Sequence, residues 1–404
     1  MIQRKLNQSL LKATVIFHFL VVYASVFTNC SQSGSSQIIK DIPTVAENVN
    51  GLIVCDKSLL KETITIPLSF FIDGELQIVK LDDSDEALVK NNAAIISDNY
   101  ILVQGEMQMP SKLFNKKTGK FISNIGSIGQ GPNEYRAIYD QQIDESNNRI
   151  YLLPWDEKKI LVYDLKGNAL EPIPLCHKVP KGGFKVNTKA GTVTVATLPF
   201  ENAQAVVWMQ TLDGTMLNYI APRHLALRPN FSNEVVMYKD NDFFDFFVFS
   251  IVPRVDTLYR YDFTINELIP LFTCNFDELN DFHFYAESSK FFFGDLSEPK
   301  PVSPNRTSSQ NRRSYFVDKQ TLKGSYFILE NDFLGNFEIE KPIFKLNGDY
   351  YVYNADPGDL HDKLEEQLNS NKNFTPEMRE KLINLKNSIT DNDNNYIFYA
   401  KYKK

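Results

Sequence analysis

The residues of this chain best placed to do chemistry lie in one short segment, Gly126–Arg136, which reads G-S-I-G-Q-G-P-N-E-Y-R. Gln130 and Asn133 offer hydrogen bonds, Glu134 and Arg136 offer opposite charges, and Tyr135 offers an aromatic face with a hydroxyl. Gly126, Gly129 and Gly131 free the backbone for tight turns and close approach. Pro132 fixes its own φ and biases Gly131 towards extended conformations. The segment is therefore a shaped loop, and two roles are open to it. Either Gln130, Asn133, Glu134, Tyr135 and Arg136 line a ligand site, or the glycines and Pro132 shape a crossing between elements that Glu134 and Tyr135 pin.

Elsewhere the chemical signals are thin. Beyond the N-terminal segment the histidines are His177, His224, His283 and His361, and none has the spacing of a zinc site. Cys55, Cys176 and Cys274 lie far apart without a C-x-x-C pair and are odd in number, so they read as small buried apolar residues. There is no G-x-S-x-G nucleophile elbow, and the glycine-rich segment is not followed by the Lys-Ser/Thr of a phosphate loop. No catalytic residue and no cofactor are expected. The run Asp82, Asp83, Asp85 and Glu86 gathers hard oxygens that could hold Ca²⁺, but it lacks the glycine and spacing of a calcium loop and reads first as a solvated turn. The net charge of −7, with lysines and arginines scattered, excludes nucleic acid as a partner.

The first residues read as an address. Arg4, Lys5 and Lys12 precede an apolar run from Ala13 to Phe27, too short for a comfortable membrane span and charged like a secretory leader. Cys30 follows, then the polar stretch S-Q-S-G-S-S. That pattern implies a signal peptide at 1–29, lipid attachment at Cys30 and a lipid-anchored flexible tether over 30–50. Phe27, Thr28 and Asn29 are bulkier than the residues that usually precede such a cysteine, and the other reading is an uncleaved N-terminal anchor. No acidic pair follows Cys30, which favours the periplasmic face.

The rest of the chain must position the loop, and it does so with short strands that repeat. Turn pairs open apolar strands at Asp98–Asn99, Asn147–Asn148, Ala190–Gly191, Asp240–Asn241 and Asn347–Gly348, the first four spaced by 49, 43 and 50 residues. A second series interleaves at Gly119, Gly167 and Gly214, spaced by 48 and 47. Two hairpin turns per period mean four strands per unit, the mark of a propeller blade, whereas a β-sandwich does not usually repeat its turns at constant period. Phe243, Phe244, Phe246, Phe247, Phe249 and Phe291–Phe293 are expected to fill the gaps between blades. The polar stretch Ser297–Arg313 reads as an exposed loop in blade five. Leu360, Leu364 and Leu368 share one helical face, and Thr375-Pro376-Glu377 starts a second helix, giving a helical insertion at about 358–390.

The I-G-S-I-G-Q-G-P-N-E-Y loop and the strand Asp256-Thr257-Leu258-Tyr259-Arg260 resemble the signature segments of the six-bladed β-propeller lipoproteins of Bacteroidetes, relatives of NHL-repeat propellers. The resemblance covers roughly Leu76 to Lys404. It implies an all-β, six-bladed propeller over 51–404 with four-stranded blades. Its ring is closed by Leu76–Leu81 beside the C-terminal strand Asn395–Tyr402, and the loop lies near the central channel. The expected role is a monomeric, envelope-anchored module that binds a protein, peptide or glycan. The alternative is a lactonase-like hydrolase or lyase with a metal in the channel. Histidines and paired carboxylates facing the channel would favour the enzyme, whereas aromatics and neutral polar groups would favour binding.

Overall fold

The structure, a computed structural model, describes residues 38–404 apart from 107, 240–242, 276–280, 304–305, 340–349, 371, 391 and 404. The expected leader, Cys30 and the first part of the tether lie outside the described residues, as do the turn pairs Asp240–Asn241 and Asn347–Gly348. The chain divides into Met1–Pro43, of which 38–41 are helical, and Thr44–Lys404.

Thr44–Lys404 is a six-bladed β-propeller. Blades one to three are four-stranded antiparallel sheets. Blade one holds Ala94–Ile96, Tyr100–Val103, Ser111–Asn115 and Phe121–Ile125; blade two holds Ile138–Asp144, Arg149–Pro154, Glu157–Tyr163 and Ala169–Val179; blade three holds Gly182–Asn187, Thr192–Thr197, Val207–Thr211 and Met216–Ile220. Blade four starts at Glu234–Lys239 and blade five at Phe282–Glu287, and the described part of blade six starts at Tyr350–Ala355. The first strands of blades one to four face the channel.

The repeat spacing has a packing cause. Gly119, Gly167 and Gly214 all have positive φ, and a Cβ on Gly119 or Gly167 would stand 1.9 Å from the Lys80 carbonyl oxygen or 2.2 Å from that of Asn124. Each turn thus butts against an outer strand of the preceding blade, where only glycine fits. Between blades the core is apolar. Leu153, Ile160 and Val162 of blade two pack with Phe184, Val193 and Trp208 of blade three, all buried. The later blades use phenylalanine as expected: Phe246, Phe247 and Phe293 are fully buried, and Phe272 stacks on Phe292 with ring centres 4.7 Å apart.

The N-terminal segment departs from expectation. Its last residues do not form tether: Ala46–Val49 and Leu52–Asp56 form a hairpin through Asn50–Gly51, both at positive φ. Leu52–Asp56 then pairs in parallel with Glu267–Asn275 of blade four, Thr63–Pro67 pairs in parallel with Gly324–Asn331 of blade five, and Ile72–Lys80 pairs antiparallel with Tyr396–Tyr402 of blade six. The start of the chain is a belt around three blades. Among the described residues blade six shows Tyr350–Ala355, Tyr396–Tyr402 and Ile72–Lys80, the last as its outermost strand, while 340–349 lie outside the described residues. The stretch expected as a loop in blade five is instead a long two-stranded ribbon, Phe291–Ser303 against Arg306–Asp318, whose outer part is exposed.

Two helices, α1 (Pro357–Asn369) and α2 (Pro376–Ser388), interrupt blade six between Tyr350–Ala355 and Tyr396–Tyr402. Asp356 caps α1 through the backbone N–H groups of Gly358 and Asp359, and Thr375 caps α2 through that of Met378. Leu360, Leu364 and Leu382 are buried, as the spacing predicts, together with Pro357 and Gln367, whereas Leu368 is half-buried.

After α2 the chain enters three consecutive buried polar residues. Asp393 accepts hydrogen bonds from Lys80 Nζ (2.8 Å), Thr390 Oγ1 (2.6 Å) and Tyr396 OH (2.7 Å). Asn394 donates to the carbonyls of Asp82 and Ala87 and accepts from the Val89 N–H. Asn395 donates to the side-chain oxygens of Asn91 and Asn354. These residues tie the last strand to the chain that leads into blade one.

Two predictions follow from the closure. Deleting 395–404 leaves Tyr350–Ala355 and Ile72–Lys80 without their shared partner, so cooperative melting is expected to be lost; a truncated protein melting within a few degrees of the full chain contradicts this. Burial alone would raise the Asp393 pKa, but its bonds to Lys80, Thr390 and Tyr396 outweigh burial and hold it down to about 2. Its stabilisation is therefore present at neutral pH and lost as pH falls below the unperturbed 3.8 towards about 2. In thermal melts, the gap between wild type and Asp393→Asn is expected to close over that window.

Candidate functional site

The loop expected to carry chemistry is folded onto itself. Ser127–Ile128 pairs in parallel with Glu134–Tyr135. The Glu134 carboxylate accepts from the Gly131 N–H at 2.8 Å and lies so close to Gly129 that a Cβ there would stand 1.9 Å from Oε2. Tyr135 is buried; its hydroxyl accepts from the Ser111 N–H and donates to the Ile125 carbonyl, both at 2.7 Å. Blade two grips the loop from outside, where Tyr163 OH donates to the Asn133 carbonyl and Lys159 Nζ to that of Pro132, again at 2.7 Å. Gly126, at φ +73°, leaves no room for a Cβ beside that tyrosine hydroxyl. Gln130, Asn133 and Arg136 stand exposed. Glu134 and Tyr135 thus hold shape; Asn133 shares a shallow depression with Glu134, and Gln130 and Arg136 do not line it.

Nor does the loop reach the channel cavity. Gly126, Gly131–Glu134, Tyr163 and Ala169 line a depression of about 430 Å³, whereas a larger cavity of about 810 Å³ is lined by other residues throughout. Topology gives the reason. The loop leaves blade one at the end of its strands opposite the Asp98–Asn99 turn, and the large cavity is bordered by Asp98 and the equivalent turns of blades two and three.

That cavity is the mouth of the central channel. Strands of five blades line it, with Ile95, Asp140, Gln142, Lys185, Lys239 and Tyr350 among the contributors. Its floor is a polar lattice. Gln142 donates to the Val186 carbonyl and accepts from the Val186 N–H, each at 2.9 Å, which joins blades two and three. Asp140 accepts from the Phe184 N–H at 2.8 Å and pairs with Lys239, which also donates to the Phe184 carbonyl and lies over the Phe184 ring. Lys239 therefore reaches from blade four to blade two. Around the rim, Asp144 accepts from Asn147 and Thr188, and Glu145 takes the Asn99 N–H and amide at 2.8 and 2.9 Å. Lys116 donates to the Ser97 carbonyl and sits over the rings of Tyr350 and Tyr399.

No histidine lines this cavity among the described residues. Its carboxylates Asp140, Asp144 and Glu145 are engaged by protein donors. The remaining lining is the carboxylate of Asp98, hydroxyl, amide and lysine groups, Tyr350, and the apolar side chains of Ile95, Ile96, Ile143, Val186 and Met237. Sequence reasoning missed these residues. The available signal was the polar side chains in the first strand of successive repeats, as in Asp140-Gln141-Gln142, Lys185 and Lys239. A second charged group links blades four and five: Arg260 grips Asp245 with two bonds of 2.8 Å and reaches Glu287, which Lys319 also holds at 2.7 Å. Burial pushes the Asp245 pKa up while Arg260 opposes it. Arg260 belongs to the D-T-L-Y-R strand, so that motif serves blade packing.

In the acidic run considered for calcium, Asp82 pairs with Lys120 and Asp83 with Lys80. Among the described residues, His361, Asp362 and Glu365 on α1 bring three potential ligand atoms within 4.8 Å of one another, on an exposed helix face. No described helix is long and apolar enough to cross a membrane.

Fold and channel together define a six-bladed β-propeller with a polar channel mouth. The chain belongs to the family described as a domain of unknown function, DUF4934, which matches residues 53–401. A protein of Bacteroides fragilis described as exported is similar in structure, with a TM-score of 0.58 at 16% identity over 87% of this chain and 100% of that one. A member of the DUF4221 family from Bacteroides vulgatus aligns at a TM-score of 0.41 and 8% identity, over 82% and 97% of the two chains. No curated protein matches the chain.

The loop geometry predicts a reversal of the roles expected of it. Glu134→Ala is expected to cost about 1 kcal/mol of stability, because it removes the acceptor for the Gly131 N–H. Gly126→Ala is expected to cost about 2 kcal/mol, from positive φ and the Tyr163 contact. Gln130→Ala and Arg136→Ala are expected to leave stability unchanged. Denaturant melts of the four variants check this, and a fully stable Glu134→Ala protein contradicts it.

Proposed function

We propose that the protein is an exported, lipid-anchored binding module of the cell envelope that holds a polar ligand, a glycan or a peptide, at its channel mouth. The observation that carries this reading is the cavity of about 810 Å³, lined by five blades and rich in hydroxyl, amide and lysine groups. Its size suits a few sugar units or a short peptide. Asp140, Asp144 and Glu145 already accept hydrogen bonds from protein groups, so they make poor metal ligands or general bases, and Asp98 stands apart from them on the exposed rim. Binding is therefore favoured over a hydrolase or lyase. Export is supported by the basic and apolar leader, by Cys30 with its Ser/Gly stretch, and by the described export of the Bacteroides fragilis relative. The module acts as a monomer, needs no cofactor and has no nucleic-acid partner.

The test is a thermal-shift screen of the full chain against glycans and peptides, with hits measured by calorimetry. Asp98 and Lys189 border the cavity and are exposed. Asp98→Asn and Lys189→Gln are therefore expected to melt like wild type and to weaken a true ligand by about tenfold. A hit indifferent to both, but lost with Gln130→Ala or Asn133→Ala, moves the site to the loop. For the anchor, Cys30→Ala is expected to shift the protein out of the detergent phase, and unchanged partitioning rejects lipid attachment.

A further inference from the structure

The belt brings together two cysteines that lie 219 residues apart in sequence. Leu52–Asp56 runs parallel to Glu267–Asn275 in a register that sets Cys55 directly opposite Cys274. Neighbouring strands lie about 4.8 Å apart, inside the Cα separation of about 4.4–6.8 Å that a disulfide spans. Both residues are buried, at 0% and 1% exposure, and the two thiols are within hydrogen-bonding reach of each other. The surroundings are rigid: Tyr285 OH accepts from the Cys274 N–H at 3.1 Å, and the Tyr285 ring packs edge-on against Phe272. Cys176 is occupied elsewhere, with its thiol on the Gly214 carbonyl of blade three, so it does not compete.

We infer that Cys55 and Cys274 form a disulfide when the chain folds in an oxidising compartment, covalently stapling the N-terminal belt to the outer edge of blade four. The inference rests on the export reading for its compartment and on register for its geometry. The chemistry is thiol–disulfide exchange with an external disulfide, such as an oxidised dithiol oxidoreductase or oxidised glutathione. The thiolate of one cysteine attacks that disulfide and releases a first thiol. The second cysteine then attacks the resulting mixed disulfide and releases the other, so two protein thiols become one S–S bond while one external disulfide becomes two thiols. Contact with the Cys274 thiol, and then burial, push the Cys55 pKa up, which makes the folded thiol a poor nucleophile. The bond therefore forms as the belt docks rather than afterwards. It closes a loop containing blades one to three and most of blade four, where restricting the unfolded chain has a large effect.

The test is disulfide mapping of the full chain produced with its own leader. The envelope fraction is alkylated before reduction and its peptides are analysed by mass spectrometry. The expected result is a linked pair of peptides containing Cys55 and Cys274, separable by reductant, with Cys176 alkylated. Reductant is expected to lower the melting temperature of wild type and not that of the Cys55→Ala/Cys274→Ala double variant. Envelope-located protein with both cysteines alkylated overturns the inference. If the protein stays in the cytoplasm, the export reading fails instead. The pairing is then decided by refolding that protein from urea with reduced and oxidised glutathione: a linked pair upholds it, and two free thiols overturn it.

Discussion

The strand Tyr396–Tyr402 is the constraint on which the rest of the structure depends. A ring of sheets has no natural end, and an open ring would leave two strand edges with unpaired backbone groups. Here the C-terminal strand lies between Tyr350–Ala355 of blade six and Ile72–Lys80, with Ile72 opposite Tyr402 about 330 residues away in sequence. Three buried polar side chains enforce that register. Asp393 holds Lys80, Asn394 holds the segment from Asp82 to Val89, and Asn395 holds Asn91 and Asn354. Each is satisfied by several partners, which is the condition under which buried polar groups specify a structure rather than weaken it. The belt extends the same device to blades four and five, so half the ring carries hydrogen bonds to the start of the chain.

The architecture was legible in the sequence because its causes are local. Asn148 takes the left-handed conformation its turn needs, and the glycines at 119, 167 and 214 recur because each meets an outer strand of the preceding blade. Thr375-Pro376 and the leucines of α1 and α2 act within one or two helical turns. The belt was less legible. Asn50–Gly51 is a plain hairpin signal, yet the hairpin gains its place only by parallel pairing with a strand more than two hundred residues later. Parallel partners leave no turn between them to be read. The pairing of Cys55 with Cys274 was hidden for the same reason: sequence spacing says nothing about strands joined only by the closed ring.

The candidate site shows the same division. A run of glycine, proline and polar residues is conspicuous, and it drew attention to Gly126–Arg136. Its conspicuousness arises from geometry: the glycines admit the Glu134 carboxylate and the Tyr163 hydroxyl, and Tyr135 closes the end of the loop. The channel residues are inconspicuous by comparison. Asp140, Gln142, Lys185 and Lys239 sit in strands whose alternating pattern looks like that of any half-exposed strand. Only closure of the ring turns their outward-reading face into a shared interior.

That interior bears on function through what its charges already do. Asp140 and Lys239 neutralise each other across the channel floor, and Lys239 also satisfies the Phe184 carbonyl. An ion pair held at both ends cannot readily give a proton or a coordination site to a visitor without breaking the link between blades two and four. The rim is different. Asp98 and Lys189 border the cavity from turns between strands, where side chains can change without disturbing a ladder. A fixed polar floor beneath an exposed rim fits the proposed binding of a hydrogen-bonding ligand better than proton transfer by the floor itself.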